Sequence, residues 1–245
     1  MTLNLHGEVR VASTPEAAAE SCAAWLAGVS EAACRAGGRF TVAVSGGSMC
    51  RLLLGRLPDE TWRQQFEWPR WHVFFSDERA CPPDDEASNY HQVRLALLDQ
   101  VSISRSNVHR MRGEAADLDA AADEYSTLLA ATLAQARATA PRLDCLLLGV
   151  GENGHTASLF PSTAALSVTD RWATRGRGDY PPYDRITLTY PTINAAASVA
   201  LLVTGANKAH ALRATAEGNT PVARVRPESG AQFWFLDAAA ASAAA

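Results

Sequence analysis

The chain reads as an α/β protein with a largely parallel sheet flanked by helices. Three observations lead there. Short apolar strands alternate with helical stretches from end to end. The run around Leu146–Leu147–Leu148 stops at a glycine-rich turn, as a buried strand of a parallel sheet does. Several other strands also end in polar, glycine-containing segments. With 245 residues and no repeat or linker, the chain is expected to form a single domain over residues 1–245.

Taken in order, Glu8–Ala12 is a first short strand. Thr14 then offers an N-cap with Pro15 at the first helical position, and alanine-rich sequence carries a helix to about Ala36, ended by Gly37–Gly38. Arg39 to Val44 is a strand, Ser45–Gly46–Gly47–Ser48 a tight turn, and Met49 to Leu57 a helix. Trp71 to Phe75 is a buried strand that ends at Ser76–Asp77–Glu78–Arg79, and a loop with Cys81–Pro82–Pro83 follows. Ser88–Asn89 caps a helix to about Leu98. Val108 to Met111 is a short strand, and residues 117–139 are helical.

Leu143–Leu148 is the strand before the His155 turn. Thr169 to Tyr183 reads as a loop, rich in glycine, proline and arginine. Ile186–Thr189 alternates like a half-exposed strand. Val199–Val203 is a buried strand ending at Thr204–Gly205, Lys208–Ala216 a helix, and Phe233–Leu236 the last strand before a frayed alanine tail.

Composition narrows the function. The formal net charge of −4 implies no broad basic surface, so nucleic acid is not an expected partner. The N-terminus lacks the basic start and apolar core of a signal peptide. No run approaches the roughly 20 apolar residues of a membrane span, so no membrane role is expected. The five cysteines, Cys22, Cys34, Cys50, Cys81 and Cys145, are odd in number and irregularly spaced. They show no zinc pattern and read as reduced thiols of a cytoplasmic protein.

Four strand ends carry unusual polar groups, and parallel strands would bring them to one edge. They are Ser45–Ser48, Asp77–Arg79, Gly149–His155 and Gly205–Lys208. In Ser45–Ser48, Gly46 and Gly47 let the backbone approach an anion, and Ser48 leads into a helix N-terminus; a plain tight turn accounts for the same residues. The segment is neither a Walker loop nor a dinucleotide fingerprint. Arg79 and Lys208 suit a phosphate, one as a bidentate guanidinium and the other as a mobile point charge; each also reads as an ordinary surface cation. Asp77 can simply pair with Arg79. Arg185, next to the alternating strand, is a weaker candidate for the same pocket, and Asn89 a helix cap.

His155 stands where open α/β sheets bind ligands, and an imidazole near pKa 6.5 suits general-base work at neutral pH. The bland alternative is a structural histidine. It has no HxxxH or HxH partner, so no metal is expected there. No GxSxG elbow surrounds Ser158, which disfavours a serine-hydrolase triad.

In order, Val42–Ser48, Phe75–Arg79 with Ser88–Asn89–Tyr90, Gly149–Pro161, Arg185–Thr189 and Val203–Lys208 resemble the 6-phosphogluconolactonase family. The resemblance runs over roughly residues 10 to 238, and the segment Gly154–Pro161 is its most specific part. It implies a Rossmann-like α/β fold and hydrolysis of 6-phospho-D-glucono-1,5-lactone to 6-phosphogluconate, with no cofactor and a sugar phosphate lactone as the partner. The protein is expected as a monomer or homodimer. By the same resemblance His155 is the general base, Asp77 an acidic active-site group, Arg79 and Lys208 phosphate contacts, and Asn89 a residue of the same loop. Two departures stand out. Asn153 replaces the aspartate usual before the Gly–His pair, which removes a titrating group but keeps an orienting oxygen. Met49–Cys50 replaces a Thr–Pro after the glycine loop. The related glucosamine-6-phosphate deaminases need a carboxylate base for carbon-acid chemistry, which Asn153 does not supply. A non-catalytic sugar-phosphate sensor would not need His155.

Overall fold

The computed structural model describes residues 4–133 and 140–244. Ten strands and eight helices follow in chain order, linked in places by short 3-10 and π turns. The first pair is β1 (Glu8–Ala12) and α1 (Pro15–Gly37). Helix α1 starts where expected, with the Thr14 hydroxyl accepting from the Ala17 N–H at 3.1 Å, and stops at Gly38, whose φ of 75° is left-handed. Next come β2 (Phe40–Val44), α2 (Gly47–Met49), α3 (Glu60–Arg63), β3 (Trp71–Phe75), β4 (Asp77–Arg79), α4 (Asn89–Val93) and β5 (Val108–His109). The second half holds α5 (Leu118–Leu133), β6 (Cys145–Leu148), β7 (Ala173–Arg177), β8 (Asp184–Leu188), α6 (Tyr190–Ala195), β9 (Ser198–Val203), α7 (Ala209–Ala216), β10 (Ala231–Asp237) and α8 (Ala238–Ala244).

The main sheet has seven strands in the order β1-β10-β9-β6-β2-β3-β5, every pair parallel. Its central strands β2 and β6 are buried along their whole length. A strand covered on both faces has no solvent side, so its sequence is a continuous apolar run rather than an alternation. Helix α1 packs on β10, β1 and β2 through Ala19, Cys22, Ala23 and Leu26.

Four expectations need correction. Residues Asp77–Arg79 are not simply the polar end of β3. They form β4, the edge of a second, antiparallel sheet ordered β4-β8-β7. The stretch Thr169 to Tyr183 contains β7, whose arginines and glycine are tolerated because the strand pairs with β8 on one side only. Strand β8 is not half-exposed, because it lies between β4 and β7 with α5 packed against it, and Arg185 through Leu188 are buried. The alanine tail is helical over Ala238–Ala244, started by Asp237, whose Oδ1 accepts from the Ala240 N–H at 2.9 Å.

Smaller differences concern helix ends. The helix expected from Met49 begins at Gly47 and continues as a π turn over Cys50–Leu54, and α4 continues likewise over Arg94–Leu98. Of the helix expected over 117–139, α5 accounts for Leu118–Leu133, and residues 134–139 lie outside the described residues. Among the described residues, no helix is long and apolar enough to cross a membrane.

Candidate active site

The polar segments singled out in the sequence follow four adjacent strands, β3, β2, β6 and β9. From β2 the chain continues to β3 on one side; from β6 the main sheet continues to β9 on the other. Between strands that diverge in this way, the loops leave a crevice at the carboxyl edge. A cleft of about 440 Å³ lies there, lined by the Ser45–Met49 loop, Asp77, Arg79, the Gly149–Asn153 turn, His155, Asp179, Tyr180 and Lys208. That volume is within the roughly 300–1,000 Å³ of small-molecule sites.

His155 is half-buried and stacked on Phe160, with ring centroids 3.9 Å apart. Its Nδ1 lies 2.6 Å from Asn153 Oδ1, which also accepts from the His155 backbone N–H at 3.1 Å. The other end of the Asn153 amide, Nδ2, donates to Asp179 Oδ2 at 2.8 Å. Burial pushes the imidazole pKa down to about 4, Asp77 and Asp179 oppose that shift, and Lys208 and Arg185 add to it. The ring is therefore neutral at pH 7 and has a lone pair to offer. A Cβ at Gly151 would fall 2.1 Å from His155 Nδ1 and Cε1, so glycine is needed there to leave room for the ring.

Asp77 is 4% exposed and is gripped by hydroxyls. Its Oδ1 accepts from Ser45 Oγ at 2.8 Å and Ser76 Oγ at 3.3 Å, and its Oδ2 from Ser158 Oγ at 2.7 Å. One carboxylate thus ties the loop after β2, the start of β4 and the turn after His155 together. Its neighbour Glu78, also buried, accepts from the backbone N–H groups of Arg79, Asn89 and Tyr90 at 2.7–2.8 Å and from Ser88 Oγ at 3.0 Å. Burial raises the Glu78 pKa, and these donors oppose the rise.

Arg79 and Lys208 reach the cleft. Arg79 Nη1 donates to the Ala87 carbonyl at 2.5 Å, while its Nε is buried without a partner among the described residues. Burial lowers the pKa of the Lys208 ammonium, and Glu152 opposes the shift. Gly46, Gly47 and Ser48 also line the cleft, but the Gly47 N–H is taken by Gln92 Oε1 at 2.8 Å. The N–H groups of Gly151 and Gly154 are likewise used inside their own turn, at 2.8 and 3.0 Å. Those three glycine donors are not available to a ligand in this arrangement.

Asn89 and Arg185 sit one layer behind the cleft wall, both fully buried. Asn89 Nδ2 donates to the Asp77 carbonyl at 2.8 Å, and its Oδ1 packs against Gly46, where a Cβ would come within 2.1 Å. Arg185 Nη2 donates to the Tyr180 carbonyl at 3.1 Å, and its guanidinium lies 5.1 Å from the Tyr180 ring centre. Its Nη1 is buried without a partner among the described residues.

Two lining residues, Asp179 and Tyr180, escaped the sequence reading. They belong to the connection between β7 and β8, closed by the Gly178 N–H donating to the Tyr183 carbonyl at 2.7 Å. Only the pairing of those two strands aims this segment at His155, and no local pattern announces it. Ser158 was weighed as a nucleophile; its hydroxyl instead serves Asp77.

Comparison with known proteins agrees with this architecture. The family described as Glucosamine-6-phosphate isomerases/6-phosphogluconolactonase matches residues 13–234. A 6-phosphogluconolactonase of Synechocystis sp. is 42% identical over 204 residues, 82% of each chain. A protein of Oryza sativa subsp. indica, described as probable 6-phosphogluconolactonase 3, chloroplastic, is 37% identical over 237 residues, 91% of this chain and 72% of the other. The solved structure of 6-phosphogluconolactonase from Trypanosoma brucei superposes with a TM-score of 0.84 at 26% identity, covering 98% of this chain and 100% of that one. A family match over most of the chain and a cleft at the expected sheet edge lead to one conclusion: this chain belongs to the glucosamine-6-phosphate isomerase/6-phosphogluconolactonase family.

Proposed function

We propose that the chain hydrolyses 6-phospho-D-glucono-1,5-lactone to 6-phospho-D-gluconate, the lactonase step of the oxidative pentose phosphate pathway. The observation that carries this reading is the pairing, in one cleft, of a neutral histidine with cations suited to a phosphate. A lactone is an activated ester, so one base that deprotonates water suffices and no covalent nucleophile is required. His155 takes a proton from water as its oxygen bonds to C1. The imidazolium that forms is favoured by the nearby charges of Asp77 and Asp179. It then returns the proton to the ring oxygen as the C1–O bond breaks, which opens the ring and regenerates the neutral base.

Arg79 and Lys208 hold the phosphate, with Arg185 behind them adding positive potential. Asp77 acts by fixing the two loops that frame the base and through its charge. Five unpaired cysteines, four of them buried, support a reducing compartment, for which we propose the cytoplasm.

The test generates fresh lactone by enzymatic oxidation of glucose 6-phosphate and follows its disappearance with and without this protein. Acceleration is expected. No acceleration overturns the reading, and ammonia release from glucosamine 6-phosphate would replace it with the deaminase activity.

A further inference from the structure

An asparagine beside a catalytic histidine is ambiguous in a way an aspartate is not. Its amide presents an acceptor or a donor depending on which way round it sits. If Oδ1 faces the imidazole Nδ1, that nitrogen must carry the proton and Nε2 keeps the lone pair. If Nδ2 faces it, Nδ1 must be the acceptor and the proton moves to Nε2, which then cannot act as a base. Asn153 is in this position, 2.6 Å from His155 Nδ1. Its far end meets the Asp179 carboxylate at 2.8 Å. An ionised carboxylate only accepts, so Asp179 selects the orientation in which Nδ2 faces outward and Oδ1 faces the histidine. The His155 backbone N–H, 3.1 Å from Oδ1, is consistent with the same orientation.

We propose that Asp179 is a positioning residue that fixes the Asn153 amide and thereby holds His155 in the tautomer protonated on Nδ1, with Nε2 as the base. Asp179 is exposed and lies between β7 and β8, away from the sheet core, and its carboxylate spans the distance that the family's usual aspartate at position 153 would make unnecessary. The negative charge sits one residue further from the ring, relayed through an amide. The kinetic consequence rests on the proposed lactonase reading; the tautomer itself does not.

The experiment reverses the polarity. In Asp179→Lys the charge-assisted bond from the ammonium outweighs the neutral one from the His155 backbone N–H, turns Oδ1 outward and presents Nδ2 to the imidazole. The expected results at pH 7 are a shift of the His155 tautomer toward protonated Nε2, seen in long-range proton–nitrogen correlation spectra of the ¹⁵N-labelled protein, and a kcat lowered at least about tenfold. His155→Gln assigns the signal. In the double variant Asn153→Asp with Asp179→Lys, the carboxylate at 153 has no donor to turn inward, so the Nδ1-protonated tautomer and most of the turnover return.

An unchanged tautomer in Asp179→Lys overturns the proposal, as does a shift that the double variant fails to reverse. Wild-type protein that turns over no lactone, yet shows the tautomer shift and its reversal, would sink the activity and keep the positioning role. Asp179→Ala removes the contact but leaves the His155 backbone N–H on Oδ1, so it is expected to shift the tautomer less than Asp179→Lys does.

Discussion

Arg79 and Arg185 stand directly opposite each other across the antiparallel ladder of β4 and β8. Two guanidinium groups are thereby held side by side, and each keeps one buried nitrogen without a partner among the described residues. Arg185 is fully buried, and burial, then the charge of Arg79, lowers its pKa. Such a pair costs stability in the empty protein, and an anion held at Arg79 offsets that cost by bringing negative charge against both guanidinium groups.

Arg185→Met is therefore expected to fold with stability near wild type or above it, since an apolar residue of similar length relieves a like-charge contact. Inorganic phosphate should raise the melting temperature of the wild-type protein and have much less effect on the variant. KM for the lactone should rise about 10–100-fold with a smaller change in kcat. Equal protection of both proteins by phosphate would show that the charge of Arg185 does not act on the anion site.

The His155 ring should titrate near pH 4 in the free protein when followed by NMR, because its burial penalises the imidazolium. His109, stacked on His72, should also titrate near 4, again mainly through burial. Both folded values lie below the ordinary 6.5, so from pH 6.5 down to 4 these two histidines bind more protons in the unfolded chain than in the folded one. Their contribution to stability is thus fully present above about pH 6.5 and is lost as the pH falls toward 4. Denaturant midpoints measured across this window check the sign.

Asp77→Ala should lower stability by about 2–4 kcal/mol, since it strands the buried Ser76 and Ser158 hydroxyls and releases the half-buried Ser45. Ser158→Ala removes one donor and leaves the carboxylate two, so a cost of about 1–2 kcal/mol is expected. Urea unfolding curves for the two variants give the comparison; a smaller loss for Asp77→Ala than for Ser158→Ala would contradict the tethering role.

Gly151→Ala places a methyl group 2.1 Å from His155 Nδ1. The ring must move, and displacement of a catalytic group by about 1 Å costs on the order of 10²-fold in rate. The expected outcome is a folded protein with kcat lowered by about that factor. Far-UV circular dichroism together with lactone turnover tests it.

Much of this site was legible in the chain because its parts are local. A run such as Leu146–Leu147–Leu148 ending in Gly149 announces a buried strand, and the polar segment after it announces a mouth. Four such segments on parallel strands must share an edge, which places Ser45–Ser48, Asp77–Arg79, His155 and Lys208 together from sequence alone. Helix caps at Thr14 and Ser88 were equally local, each a side chain bonding a backbone three residues on.

What the chain did not reveal arises from pairing between distant segments. The second sheet joins β4 to β8 and β7, and only that ladder sets Arg185 behind Arg79 and brings Asp179 and Tyr180 over the cleft. Ser158 and Asp77 meet across 81 residues, which gives an anchoring role to a serine that the sequence disfavours as a nucleophile. Sequence alone determined the strand order's raw material and the chemistry of the base, since periodicity and residue type are properties of neighbours along the chain. Tertiary structure alone decided which donors are already spent, which cations are buried, and which way the Asn153 amide faces. Hydrogen-bond partners and desolvation depend on what lies across a few ångströms of space, and no spacing along the chain encodes that.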